Sequence, residues 1–359
     1  MAGVVANNPN SHTIIFQDLE YWEWLWPAVV IWAVDRILRA IRLLYCNLHV
    51  YVTPAPQLQR TRSSITYDEV TDIVWLQMKP GTSIKTGPGD YFYLYQPFRL
   101  MGWESHPFTV GALSYGKESA AKLPSGDVAQ VPLLADASPG SDPSTDPPGH
   151  AIETSDVEQL TFWIRPYDGW TRSLREQCQR SPNKATQTTI LLEGPYGGSF
   201  PVWHYESVLF VVGGTGIAAA VPYIQDHLRR SATGTTRILN MHLVWSSRQV
   251  SFLVDIAASC NLQSALTRDD VRASFYATGR DGPAGDEATL ADLNVEVSSG
   301  RPDLKSLVNE YARQARLSEC TAAVLVCGPQ GMAAETRGAV HGAMRQGFEM
   351  KYVEESFTW

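Results

Sequence analysis

Gly213-Gly214-Thr215-Gly216-Ile217-Ala218-Ala219 follows the apolar run Val208-Leu209-Phe210-Val211-Val212 and precedes a helical pattern over 217–230. Glycines so placed let a backbone approach a pyrophosphate, whose charge the first N–H groups of the helix can meet. The same pattern also serves as a plain strand-to-helix turn. The next strand discriminates between nucleotides. An acidic residue at its end would take a ribose 2′-hydroxyl. Here the strand 239–245 runs into Ser246-Ser247-Arg248. A serine hydroxyl beside a guanidinium suits a 2′-phosphate, because guanidinium binds phosphate as a fork. Ser247 and Arg248 therefore point to NADPH, the rival reading being that Arg248 is a solvated loop charge.

Other short motifs stand in a fixed order: His106-Pro107-Phe108-Thr109-Val110, then Arg165 with Gly169-Trp170-Thr171, then Glu193-Gly194-Pro195-Tyr196-Gly197, then Gly300-Arg301-Pro302, then Cys327-Gly328-Pro329. Each alone is weak. An arginine ahead of a glycine turn can supply charge-assisted donors to a diphosphate. Cys327 ends a strand at the edge where open parallel sheets bind ligands, although a small buried cysteine would look the same. A net charge of −8 gives no support for a nucleic-acid partner. The five cysteines are scattered without a C-x-x-C pair, and the histidines show no H-E-x-x-H, so no metal site is expected. Unpaired cysteines fit a reducing, cytosol-facing compartment.

These residues need elements to hold them. Alternating runs at 64–67, 73–78, 91–95, 109–113 and 159–165, broken by turn signals such as Gly87-Pro88-Gly89, predict an antiparallel β-barrel over 51–203. A Ser-, Pro-, Gly- and Asp-rich stretch at about 114–157 reads as a disordered insert. Over 204–359, strands at 208–212, 239–245, 273–278 and 322–327 alternate with helices at 217–230, 250–258, 305–316 and 331–344. This predicts a Rossmann-like parallel sheet with helices on both faces. The segment 1–50 carries a helix at about 22–45, with tryptophans at one end and Arg36, Arg39 and Arg42 at the other. Such flanks suit a membrane helix with its basic end in the cytosol. The uncharged run 24–34 is too short to span alone, so an interfacial helix and a soluble packing helix remain open.

Taken in order, the motifs resemble the cytosolic dehydrogenase half of the ferric reductase and NADPH oxidase superfamily, a branch of the ferredoxin–NADP reductase-like flavoproteins. The fungal-type metalloreductases are most similar, and the resemblance covers 54–359. It implies that His106 to Val110 form a flavin motif, with Thr109 near flavin N5 and Pro107 and Phe108 lining the ring. It implies that Arg165 pairs with the FAD diphosphate, helped by Gly169, Trp170 and Thr171. Gly194, Pro195, Tyr196 and Gly197 correspond to the turn between the two domains, with Tyr196 near the nucleotide. Gly213, Gly214, Thr215, Gly216 and Ile217 hold the nucleotide, and Arg301 reaches its 2′-phosphate or ribose. Cys327, Gly328 and Pro329 lie beside the nicotinamide, and Trp359 or Phe357 covers the flavin until nicotinamide displaces it. Among these, Thr109, Cys327 and Trp359 bear most directly on the chemistry.

The implied activity passes hydride from NADPH to FAD, then single electrons to a ferric or cupric ion or chelate, or to haem. Rivals are an NADPH oxidase-type donor to oxygen and a non-catalytic nucleotide-binding module. The N-terminal helix resembles the end of the family's last membrane helix, with most of the haem-binding membrane domain lacking. His12 and His49 are the only histidines near it and form no facing pair. Haem is thus not expected on this chain alone, and a haem-bearing membrane partner is implied. The implied location is a membrane, with the catalytic domains facing the cytosol.

Overall fold

The computed structural model describes residues 22–51, 57–97, 106–115, 157–259, 262–279 and 295–355. The expected insert falls almost wholly outside these residues, as do Phe357 and Trp359. The chain divides into two units, Met1–Tyr45 and Cys46–Trp359.

The first unit contains most of helix α1, Trp22–Asn47. Residues 100° apart on a helix set its faces. Arg36, Arg39 and Arg42 therefore share one side, while Ile37, Leu38, Ile41, Leu44 and Tyr45 share the other, and all five apolar side chains are exposed. Asp35 pairs with Arg36 and Arg39. These charges interrupt the apolar run, and no helix among the described residues is long and apolar enough to cross a membrane.

The second unit opens with a hairpin, β1 (Leu48–Tyr51) and β2 (Gln57–Arg60). Strands β3 (Arg62–Asp68), β4 (Ile73–Lys79), β5 (Asp90–Tyr95), β6 (His106–Thr109), β7 (Ala112–Tyr115) and β8 (Val157–Ile164) follow. Helix α2 (Gly169–Gln179) then leads to β9 (Ala185–Thr188) and β10 (Leu191–Gly197). Two antiparallel sheets, β7-β8-β4-β3-β9 and β10-β5-β6, enclose one core, the expected barrel. Alternation builds that core: Ile65 and Tyr67 of β3 and Phe92 and Leu94 of β5 point inward. Asn47 joins this unit at the start of β1. Its side-chain amide donates to the Leu192 carbonyl at 2.7 Å and accepts from the Leu192 N–H at 3.0 Å.

Two segments differ from expectation. The stretch after Gly169 is a helix and not a turn, because Trp170, Leu174, Gln177 and Cys178 make one buried stripe. Gly194 to Gly197 do not form a turn between domains. They end strand β10, which bulges between Glu193 and Tyr196.

The remaining elements are β11 (Ser207–Gly213), a 3-10 segment (Gly214–Ala219), α3 (Val221–Ala232), β12 (Asn240–Ser247), α4 (Val250–Ala257) and α5 (Leu262–Leu266). Then come β13 (Val271–Ala277), β14 (Val295–Ser299), α6 (Leu304–Leu317), β15 (Ala322–Cys327), α7 (Gln330–Arg345) and β16 (Lys351–Glu354). The sheet is parallel, in the order β14-β13-β12-β11-β15-β16. The chain moves outward from β11 to β14, then returns to the other side of β11. The crevice for a ligand therefore lies at the carboxyl ends of β11 and β15. Two apolar layers cover the sheet: Tyr223, Trp245, Phe252 and Phe275 on one side, and Val211, Val244, Val308 and Val340 on the other.

Barrel and sheet are packed together. Ile73, Ala112 and Trp163 of the barrel lie in the core of the parallel-sheet domain. Gln225 of α3 clamps β7, accepting from the Leu113 N–H at 3.0 Å and donating to its carbonyl at 3.3 Å.

Candidate functional site

The carboxyl edge of the parallel sheet gathers four of the sequence-predicted segments. The turn after β11 and the turn after β15 touch. A Cβ on Gly216 would lie 2.4 Å from the Cys327 carbonyl oxygen, and one on Gly213 would lie 2.7 Å from Pro329 Cδ. Gly328 packs back on Gly213, its imagined Cβ 3.1 Å from the Gly213 nitrogen. Only glycine admits this approach of two backbones. The segment 214–219 was expected to open an α-helix at once. It winds instead as a 3-10 segment, and α3 begins at Val221, where Pro222 takes a first-turn position that suits a residue without an N–H.

Next along the edge, β12 ends at Ser246 and Ser247, 7% and 2% exposed. Both hydroxyls and the Gln249 amide oxygen are buried with no partner among the described residues. Buried polar atoms in proteins are almost always paired, and these three keep hydrogen-bonding capacity beside the carboxyl edge. Arg248 is exposed beside them. The Ser247 carbonyl accepts from the Thr278 N–H at 2.8 Å, and the Ala277 carbonyl accepts from the Gly300 N–H at 2.8 Å. The ends of β12, β13 and β14 therefore stand side by side, and Arg301 follows Gly300 at the outer end.

On the other side of β11, Cys327 is fully buried, and burial, with the nearby Glu355 charge adding, pushes its thiol up to about 12. It stays protonated near neutrality. Glu355 was not singled out from sequence. Its N–H donates to the Val326 carbonyl at 2.8 Å as β16 continues past its last paired residue. Its side chain shares a small cleft with Phe210, Val212, Ala219 and Cys327, and burial raises its carboxyl to about 7. The one signal for it is position, just beyond an apolar strand at the ligand edge.

The flavin-type motifs meet on the barrel. β6 pairs with β5 so that Thr109 faces Tyr91, Phe108 faces Phe92 and Pro107 faces Tyr93. Paired residues share a sheet face, and neighbours alternate. Pro107 and Thr109 thus lie on the outer face with the tyrosines, while Phe108 lies on the inner side, edge-on to Trp170 at 5.7 Å. Pro107 and Phe108, both expected to line a flavin ring, therefore stand on opposite faces of β6, with Thr109 on the face of Pro107 and His106 on that of Phe108. His106 is exposed and Val110 is buried.

The Phe108–Trp170 contact brings the start of α2 beside β6. Trp170 is 1% exposed, and its indole donates to Gln96 Oε1 at 3.1 Å in a buried network with Gln177 and Thr188. Its side chain is therefore not available to a ligand, and only its backbone can be. The Thr171 hydroxyl is also in use, accepting from the Tyr167 N–H at 3.1 Å and donating to the Asp168 carbonyl at 2.9 Å. What α2 does offer is its N-terminus, where the N-cap residue Asp168 makes no capping hydrogen bond and its carboxylate is paired with Arg172. Half-buried Arg165, just upstream, makes no ion pair among the described residues. A cation and open helix N–H groups fit a diphosphate.

Tyr196 stacks on Tyr91 at 5.8 Å, and its hydroxyl donates to buried Glu193, which also accepts from Tyr95. Gly197 has φ +103°, and a Cβ there would lie 2.8 Å from the Gly89 carbonyl oxygen. A separate cavity of about 440 Å³ lies at the opposite, amino edge of the sheet, lined by His242, Asp269, Tyr311 and Cys320, away from all these motifs. No group of three or more His, Cys, Asp or Glu residues among the described residues could hold a metal ion.

Residues 205–341 match the family model of the ferric reductase NAD binding domain. The chain is 24% identical over 358 residues to ferric reductase transmembrane component 5 of Saccharomyces cerevisiae, covering 95% of this chain and 43% of that protein. It is 24% identical over 333 residues to ferric/cupric reductase transmembrane component 2 of the same yeast, covering 86% and 38% respectively. The chain thus spans about two fifths of the length of these relatives. Among solved structures, the CS-b5R domains of human Ncb5or in the NAD+ form superpose with a TM-score of 0.52 at 16% identity, over 86% of this chain and 70% of that one, a likeness of fold.

Proposed function

We propose that this chain, whose residues 205–341 match the ferric reductase NAD binding domain and which is similar to yeast ferric reductases, is the NADPH-accepting reductase portion of a metal-reducing system. The observation that carries this reading is the pair of buried, unpartnered hydroxyls of Ser246 and Ser247, one strand away from a glycine turn packed on Cys327. A phosphate-bearing nucleotide laid along this edge would satisfy them. In this arrangement Ser247 and Arg248 take the 2′-phosphate, with Arg301 at the outer end. The Gly214–Gly216 turn takes the pyrophosphate. Cys327, Gly328 and Pro329 then border the nicotinamide, the thiol limiting how far the ring can sink.

Arg165 and the first N–H groups of α2 would hold the FAD diphosphate, and Thr109 would orient the ring from the outer face of β6. FAD, when bound, converts a two-electron hydride donor into a source of single electrons. The protein's share is placement, and reaction distances of about 3–3.5 Å demand a rigid frame. The Gln225 clamp on Leu113 and the Trp163 packing supply that frame, since β7 is separated from Thr109 by only Val110 and Gly111. No side-chain base is needed for hydride transfer, and the protonated Cys327 thiol is consistent with that.

The electron acceptor in this reading is a ferric or cupric ion or chelate, reached directly or through a haem-bearing membrane partner. The yeast relatives are named transmembrane components. Helix α1, with an exposed apolar face and an arginine face, would attach the chain to the cytosolic side of a membrane. The full chain, reconstituted with FAD and supplied with NADPH, should reduce a ferric chelate faster than it consumes oxygen. Faster oxygen consumption would favour an oxidase-type donor, and failure to retain FAD would overturn the reductase reading.

A further inference from the structure

We infer that Trp245 is a positioning residue for the nucleotide pyrophosphate, acting through the carbonyl of Gly214; the inference rests on the nucleotide reading above. Trp245 has no exposed surface and sits on the sheet face covered by α3 and α4. Phe252 and Phe275 meet its ring edge-on at 5.3 and 5.4 Å, which fixes its orientation. A buried indole needs a partner for its one N–H. Here the Nε1–H donates to the Gly214 carbonyl oxygen at 3.0 Å. A core side chain thereby holds one peptide of the nucleotide loop.

The consequence follows from peptide geometry. A trans peptide is planar, with its C=O and the next N–H pointing in opposite directions. The 214–215 peptide is trans. With the Gly214 carbonyl drawn toward the buried indole, the Thr215 N–H must point away from the core, toward the carboxyl edge. Thr215 is half-buried at that edge and stands ahead of the first i to i+3 bond of the 3-10 segment, so no helical carbonyl takes its N–H. Gly214 adopts φ +56°, and a Cβ there would meet nothing within 4 Å. Glycine is therefore required by the backbone angle and not by space. Without a Cβ, glycine allows this peptide many orientations, and the hydrogen bond from Trp245 selects one of them.

Trp245 also lies two residues before Ser247. One strand end thus orients the donor for the pyrophosphate and presents the groups that read the 2′-phosphate. Removing the indole donor should weaken the first function and spare the second.

The test uses the full chain carrying W245F, which keeps an aromatic ring in the core and removes the donor. Two probes are titrated: ADP, which has a pyrophosphate, and adenosine 2′-monophosphate, which has none. ADP affinity should fall about tenfold, the loss of one well-placed hydrogen bond and its aligned partner. Affinity for adenosine 2′-monophosphate should not change, and the KM for NADPH should rise at constant kcat. Equal losses for both probes would mean a merely structural role and would overturn the inference, as would unchanged ADP binding. If W245F does not fold, Gly214→Ala keeps the core intact, strains the positive φ and should give the same split; normal ADP binding by that variant overturns the inference. Wild-type protein that binds neither probe overturns the nucleotide reading and this inference with it.

Discussion

Replacing Glu355 by glutamine should change how stability depends on pH, by an amount that the burial of its carboxyl sets. The side chain shares its cleft with Phe210, Val212, Ala219 and Cys327, and burial lifts its pKa from 4.5 to about 7. The folded state therefore holds this proton more tightly than the unfolded chain. The linked stability is fully present below about pH 4.5 and is lost as pH rises through about 7. A shift of about 2.5 units at about 1.36 kcal/mol each corresponds to about 3.4 kcal/mol in all, of which about 2.5 kcal/mol falls between about pH 5 and about pH 8. Carboxylates held low by partners act in the opposite sense and are lost as pH falls; Asp270, held low by Arg268, is one. They are the same in both proteins, so they cancel in a difference. The assay is urea unfolding of wild type and Glu355→Gln across this range. Glutamine cannot ionise, so the variant should gain about 2.5 kcal/mol on wild type from the acid end to the alkaline end. A flat difference profile would instead show that Glu355 carries an ordinary, solvated carboxyl.

Arg248→Ala should raise the KM for NADPH about tenfold or more, the worth of a charge-assisted contact, and leave the KM for NADH nearly unchanged in steady-state assays. Gly216→Ala would place a methyl 2.4 Å from the Cys327 carbonyl oxygen, so thermal or urea unfolding should show a loss of about 1–3 kcal/mol, with loss of NADPH binding. Gly331→Ala, whose added carbon would meet nothing within 4 Å in α7, should be neutral or slightly stabilising in the same measurement. For α1, changing Arg36 and Arg42 together to glutamine should lower binding to phosphatidylserine vesicles roughly 30-fold at low salt, at about 1 kcal/mol for each arginine; flotation that is indifferent to charge and salt would contradict an electrostatic attachment.

The parallel-sheet domain was the more legible part of the sequence. Its strands are buried on both faces and read as continuous apolar runs, as in Val208 to Val212 and Ala322 to Cys327, and their ends announce the ligand edge. Helix α2 was not legible as a helix because Gly169 opens it and polar residues dominate it; its stripe of Trp170, Leu174, Gln177 and Cys178 was the available signal. The flavin motif shows a different limit. A string such as His106-Pro107-Phe108-Thr109 says which residues are present, but strand alternation decides that Phe108 turns to Trp170 while Thr109 turns to Tyr91. The roles of Glu355 and Trp245 depend on contacts between distant elements. Burial beside Cys327 perturbs the first, and a hydrogen bond to Gly214 defines the second. No local pattern encodes either.

The proposed function requires that this chain accept hydride from NADPH onto a flavin that it binds. Rapid anaerobic mixing of the FAD-reconstituted full chain with NADPH, followed at the visible flavin band, tests it most directly. The band should bleach in a single turnover, and more slowly with NADPH deuterated at the transferred position of C4. A chain that retains no FAD, or a bound flavin that stays oxidised under NADPH, would contradict it.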